Sequence, residues 1–92
     1  MKFEFKSSFD RSVKHLDPRR KAKIKEVVSS FIDFFETRMK PKGLGLKHLR
    51  GNYWEIRSTI KDRVIFRFQK NLVEFIIAGT HDEIKNFLKN LV

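Results

Sequence analysis

Between Lys47 and Asp82 the chain reads as three short strand-like runs divided by polar turns, and this spacing leaves little choice but an antiparallel meander. The first run, Tyr53 to Thr59, mixes aromatic and β-branched residues. The second, Arg63 to Phe68, alternates the cations Arg63 and Arg67 with Val64, Ile65, Phe66 and Phe68. The third, Leu72 to Ala78, is apolar except for Glu74, as expected of a strand covered on both faces. Gln69-Lys70-Asn71 is short enough for a hairpin, with Asn71 able to take positive φ. The meander thus carries Arg57, Arg63, Arg67 and, at its end, His81.

The remaining elements follow from periodicity. Lys2 to Lys6 alternates strictly, with Phe3 and Phe5 on one face. Phe9, Val13 and Leu16 fall at helical spacing after Ser7 and Ser8, either of which suits the cap. Asp17-Pro18 stops that helix and starts a second, since proline's missing N–H costs nothing in a first turn. Ile24, Val27, Val28, Phe31, Ile32, Phe35 and Met39 then repeat every three or four residues until Pro41. Lys42-Gly43-Leu44-Gly45 reads as a flexible basic loop. Past the meander, Thr80 and Glu83 have capping-box spacing, ahead of the stripe Ile84, Phe87, Leu88 and Leu91. The expected fold is α+β: one domain over residues 1–92, order β-α-α-β-β-β-α, an antiparallel-rich sheet with the two N-terminal helices packed on one face.

A chain of 92 residues buries roughly 60 to 65% of its unfolded surface. Ten phenylalanines make a packed core plausible within that limit. There is no cysteine, so disulfides and cysteine-ligated zinc are excluded. Met1 leads directly into the first strand without a signal-peptide pattern, and no apolar run approaches the roughly 20 residues of a membrane span. The expectation is a soluble cytoplasmic protein with no membrane partner.

Charge narrows the partners further. Lysine and arginine number 21 against 11 acids, a formal net charge of +10. From Arg38 to Lys70 there are ten cations and two acids, Glu55 and Asp62. Such a field attracts polyanions: nucleic acid, an anionic membrane surface or an acidic protein. The cations Arg19, Arg20, Lys21, Lys23 and Lys25 also crowd the start of the second helix, where its dipole disfavours them. A solvated face and a contact for an acidic partner or phosphate are both open readings there.

Little conventional catalytic machinery is present. His15, His48 and His81 are too scattered for a helical metal pair, and no metal or other cofactor is expected. Gly43, Gly45, Gly51 and Gly79 match no phosphate-binding fingerprint, and no Gly-x-Ser-x-Gly elbow supports acyl transfer. Metal-free RNA cleavage needs only a group to take the 2′-hydroxyl proton, cations for charge on the phosphorane, and an acid for the departing 5′-oxygen. Arg63 suits a bidentate grip on phosphate, and the imidazole of His81 suits the role of acid or base. An antiparallel meander brings the start of the middle strand beside the end of the last, so Arg63 and His81 are expected to be neighbours. Against this stand plainer roles: Arg67 as a solvated outward residue, His81 as a polar residue at a helix start, Phe87 as packing. Tyr53 and Trp54 point to opposite faces, one toward the core and one available for stacking.

Leu49-Arg50-Gly51-Asn52-Tyr53-Trp54-Glu55-Ile56-Arg57, then Asp62-Arg63-Val64-Ile65-Phe66 and Ile77-Ala78-Gly79-Thr80-His81, resemble the RelE/ParE superfamily of toxins from bacterial type II toxin–antitoxin systems. The β-α-α front half agrees with it too. The resemblance implies a small sheet with two helices packed on it and, usually, an mRNA interferase that cuts messages on the ribosome without a metal. Carried over by position, Arg63 matches the strand arginine at the scissile phosphate. His81 falls where RelE has a catalytic arginine and YafQ-type enzymes a histidine. Lys47, His48, Arg50, Arg57 and Arg67 become candidate RNA contacts, with Phe87 near the C-terminal aromatic position. A cognate antitoxin, an acidic or extended segment wrapping the helices and basic groove, is implied as partner alongside mRNA and the ribosome; the free toxin is expected to be a monomer.

The departures from the pattern matter. Phe87 lacks the hydroxyl of RelE's catalytic tyrosine, and Glu55 stands in the strand where RelE has paired lysines. Either His81 takes over proton transfer or the chain is no nuclease. The alternatives are a ParE-like toxin acting on DNA gyrase by protein binding, and a catalytically inactive RNA-binding domain.

Overall fold

Phenylalanine decides where the core lies. In a computed structural model of the chain, which describes residues 1–37 and 45–90, Phe31, Phe66 and Phe75 are all but inaccessible. The Phe31 and Phe66 ring centroids lie 4.5 Å apart. Around them gather Phe9, Ile24, Val28, Ile56, Val64, Val73 and Ala78. The elements in chain order are β1 (Lys2–Phe5), α1 (Ser7–Lys14), α2 (Pro18–Thr37), β2 (Lys47–Arg50), β3 (Tyr53–Arg57), β4 (Asp62–Gln69), β5 (Leu72–Thr80) and α3 (His81–Lys89).

The five strands form one sheet in the order β1-β5-β4-β3-β2. The meander β3-β4-β5 is antiparallel throughout, while β1 pairs with β5 in parallel. Helices α1 and α2 cover one face of the sheet, as expected, and α3 crosses the other, its Ile84 packed with Ile65 and Ile76. Residues 47–50 add a strand that the expected order lacks. Lys-His-Leu-Arg carries neither β-branched residues nor a clean apolar alternation, so its pairing with β3 is set by the Gly51-Asn52 turn. Gly51 supplies that turn with a φ of +53°.

Two local expectations change. In the β4–β5 hairpin the residue with positive φ is Lys70 (+54°), not Asn71. The pairing of Gln69 with Leu72 leaves Lys70 as the first turn residue, and turn geometry outweighs the usual asparagine preference. Neither Ser7 nor Ser8 caps α1; Lys6 holds the N-cap position without a side-chain bond. Ser8 serves β5 instead, together with Ser12 one turn on. β1 ends opposite Phe75, and the strand edge beyond would be left unpaired. There the Lys6 amide donates to Phe75 O (3.0 Å), Ser8 Oγ donates to Ile76 O (2.5 Å), and Ser12 Oγ accepts from the Ala78 amide (3.0 Å). α1 therefore continues the pairing that β1 begins.

The other caps agree with the sequence. Asp17 Oδ1 accepts from the Arg20 amide at 2.9 Å, and Thr80 with Glu83 forms a reciprocal capping box. The readings placed on Arg38, Met39, Pro41, Lys42, Gly43, Leu44 and Leu91 lie outside the described residues. Among the described residues, no helix is long and apolar enough to cross a membrane.

Candidate nucleic-acid interface

Side chains alternate along β3 and β4, so Glu55, Arg57 and Arg63 share the sheet face that α3 only partly covers. At the end of β5 the chain turns directly into α3, whose first residue is His81. Arg63 lies opposite Gly79 on β5 and opposite Arg57 on β3. With Lys47 from β2 and Lys85 one helical turn beyond His81, these residues line a groove of about 280 Å³, closed on one side by Leu49, Ile84 and Leu88. The Thr80 cap and its Glu83 partner fix the first turn of α3, and so the place of His81. Gly45, at φ +62°, lets the chain pass Arg57: a Cβ there would lie 2.9 Å from that of Arg57.

Among the described residues, one acid shares the groove. Glu55 Oε2 accepts from Arg63 Nε at 3.1 Å, with both side chains largely buried. The start of β4 is secured from the opposite face. There Arg20 of α2 grips the buried Asp62 at both oxygens, Nε to Oδ2 at 2.9 Å and Nη2 to Oδ1 at 2.6 Å. Bonding from the Arg20 guanidinium lowers the Asp62 pKa against the opposing effect of burial. Arg63 is the next residue in the strand, so this clamp anchors the backbone that presents it.

The structure thus brings Lys47, Arg57, Arg63 and His81 to a single groove and places the other candidates elsewhere. His48 turns to the opposite side, its Nε2 2.7 Å from Gly51 O and its ring 4.8 Å from that of Trp54. Arg50 donates to Leu88 O at 2.6 Å near the end of α3. Phe87 packs with the Ile65, Ile76 and Ile84 cluster. Arg67 donates from Nε and Nη2 to Glu74 Oε1 at 2.9 and 2.6 Å and lies over the Tyr53 ring. Glu74 also takes Lys6 at 2.7 Å, and the bonds from Lys6 and Arg67 hold its pKa low despite burial. Tyr53 and Trp54 do take opposite faces, but both are half-buried in side-chain clusters. Lys85 was missed by the sequence reading. Its signal was the four-residue spacing from His81, which puts both on one side of a helix. Among the described residues, no three histidine, aspartate or glutamate side chains come together as a metal site.

Chemically the groove offers two arginines, two lysines and an exposed imidazole around one paired carboxylate, an arrangement suited to a phosphodiester.

No family model matches the sequence, and no curated protein matches it. Solved structures do. The E. coli DinJ-YafQ toxin-antitoxin complex contains a chain that superposes with a TM-score of 0.72 at 22% identity, covering 89% of this chain and 93% of that one. The RelB-RelE antitoxin-toxin complex from Methanococcus jannaschii gives 0.70 at 17% identity, with 91% and 96% covered. The YoeB/ParE toxin from Agrobacterium tumefaciens gives 0.65 at 22% identity, with 88% and 99% covered. Over nearly its whole length, then, this chain has the RelE/ParE-like toxin fold.

Proposed function

We propose that this protein is the toxin of a type II toxin–antitoxin pair, and that its groove is the active site of a metal-independent endoribonuclease that cuts mRNA on the ribosome in the cytoplasm. The observation that carries this reading is the convergence of Arg63, Arg57, Lys47, Lys85 and His81 on one groove. Cleavage by such a set forms a bond from the 2′-oxygen to phosphorus and breaks the bond from phosphorus to the 5′-oxygen. The products are a 2′,3′-cyclic phosphate and a 5′-hydroxyl. Arg63 and Arg57 stabilise the charge that builds on the non-bridging oxygens, and His81 carries a proton at the 2′-oxygen or the departing 5′-oxygen.

The antitoxin partner is supported by a separate feature. Between α1 and α2 lies an apolar groove of about 370 Å³, lined by Phe5, Phe9, Val13, Ile24, Val28 and Ile32 and flanked by Lys21 and Lys25. An acidic amphipathic segment matches both its floor and its lysines.

Primer-extension mapping of an mRNA in a cell-free translation reaction tests the catalytic reading. Discrete new 5′ ends are expected with ribosomes and wild-type protein, and their yield is expected to fall about a hundredfold or more in His81→Ala and Arg63→Ala. A message left intact by the wild-type protein would sink the nuclease reading. Toxicity that survives His81→Ala would point to gyrase, to be checked by a supercoiling assay.

A further inference from the structure

Among the described residues, Arg20, Arg63 and Arg67 meet carboxylates, and they do so in two different ways. Arg20 closes its Nε and Nη2 onto Asp62. Arg67 closes the same two nitrogens onto Glu74 and turns Nη1 toward the Tyr53 hydroxyl. Both guanidinium groups are spent on the fold. Arg63 is held at a single point, Nε to Glu55 Oε2, and among the described residues its two terminal nitrogens have no hydrogen-bond partner. A guanidinium bound only at Nε is fixed in plane while its outer edge keeps the two parallel donors that match phosphate oxygens.

Glu55 is otherwise hard to explain. Among the described residues it is the one acid lining a groove of cations, it is 7% exposed, and its strand neighbours are Lys47 and Ile65. A carboxylate here repels an incoming phosphate, so its presence calls for a compensating role. Arg57, directly opposite Arg63, keeps the local charge positive despite the pair.

We propose that Glu55 is a positioning residue that sets the plane of the Arg63 guanidinium and leaves its outer edge open to a phosphodiester. This rests on the groove being a phosphate site, as argued above. Glu55 touches no substrate; it acts through Arg63.

The test uses the full-length protein as wild type, Glu55→Gln, Glu55→Ala and Arg63→Ala. It has three readouts: cleavage of an RNA in the translation reaction, binding of a non-cleavable 2′-deoxy oligonucleotide by fluorescence anisotropy, and the NMR signal of the Arg63 Nε–H. Glu55→Ala is expected to bind the oligonucleotide at least as tightly as wild type, because a negative charge has gone. Its cleavage is expected to drop about 10- to 100-fold in kcat without a rise in KM, since the guanidinium is no longer aligned. Glu55→Gln, whose amide oxygen still accepts from Nε, recovers most of the rate and keeps the Nε–H signal that Glu55→Ala loses. Wild-type cleavage in Glu55→Ala overturns the proposal, and so does a Glu55→Gln variant as slow as Glu55→Ala while folded. If wild-type protein cuts no RNA, the nuclease reading fails. Positioning is then judged by the Nε–H signal and by the loss of oligonucleotide binding in Arg63→Ala; unchanged binding in that variant overturns it.

Discussion

On the face covered by α1 and α2, the sheet presents Ile56, Val64, Phe66, Val73 and Phe75, all at 0% exposure, and the helices answer with Phe9, Ile24, Val28 and Phe31. On the face crossed by α3, the same strands present Glu55, Arg63, Arg67 and Glu74, and only a short run of isoleucines meets the helix. The first face obtains its stability from apolar area removed from water, which is non-directional and large. The second buries charges in pairs, which contributes little net stability because desolvation offsets attraction, but fixes side chains in defined orientations. The fold is held from one side and the groove is presented on the other. Substitutions that separate these roles are therefore expected to fall into two classes.

The largest effect on stability is expected from Phe75→Ala or Phe66→Ala, about 3 to 5 kcal/mol by urea denaturation, since each leaves a cavity in the packed ring cluster. A loss well under that range would mean the phenylalanine face is loosely packed and the contrast between the faces is overstated. Next comes Asp62→Asn, about 1 to 3 kcal/mol, because Arg20 is left partly buried against a neutral partner.

Acid probes one buried pair on each face, Asp62 with Arg20 and Glu74 with Arg67. The Asp62 and Glu74 pKa values are both lowered in the folded state, so each pair adds stability above the ordinary carboxylate values of 3.8 and 4.5 and loses it as pH falls through the folded ones. Stability is thus expected to drop as pH is lowered beneath about that range, and Asp62→Asn with Glu74→Gln to flatten the drop; an acid limb unchanged in the double variant would remove these pairs from the account. Thr80→Ala should cost about 1 kcal/mol through loss of the α3 cap, and should impair cleavage beyond that cost because His81 loses its fixed place. Least affected should be Ile60→Ser, whose side chain is 93% exposed in the β3–β4 turn; its melting point should match wild type within error.

Much of this architecture was legible in the chain because its signals are local. The alternation of β4, the apolar run of β5, the Asp17-Pro18 helix start and the Thr80 to Glu83 capping box each depend on residues within a few positions of one another. β2 was not legible, since Lys47–Arg50 becomes a strand only by pairing with β3 across Gly51. Nor was the role of Ser8, which suits a helix cap until the end of β1 exposes the β5 edge it satisfies, or that of Ser12 one turn further along α1. At the groove, Arg63 and His81 were expected as neighbours because antiparallel pairing is predictable, and both line it. Lys85 was not, because its relevance depends on which side of α3 faces the sheet.

By itself the sequence determined the class of fold, the face of each long element that would be buried and the cationic character of the surface, because periodicity and net charge are properties of composition and spacing alone. Tertiary structure decided which cations are spent and which are left to act. Arg20 and Arg67 are as basic as Arg63 in the sequence, yet each closes a fork on a carboxylate 42 or 7 residues away, while Arg63 keeps an open edge. Hydrogen-bond geometry acts over about 3 Å in space and is indifferent to distance along the chain. A list of residues cannot express that difference; the register of the sheet and the docking of the helices on it do.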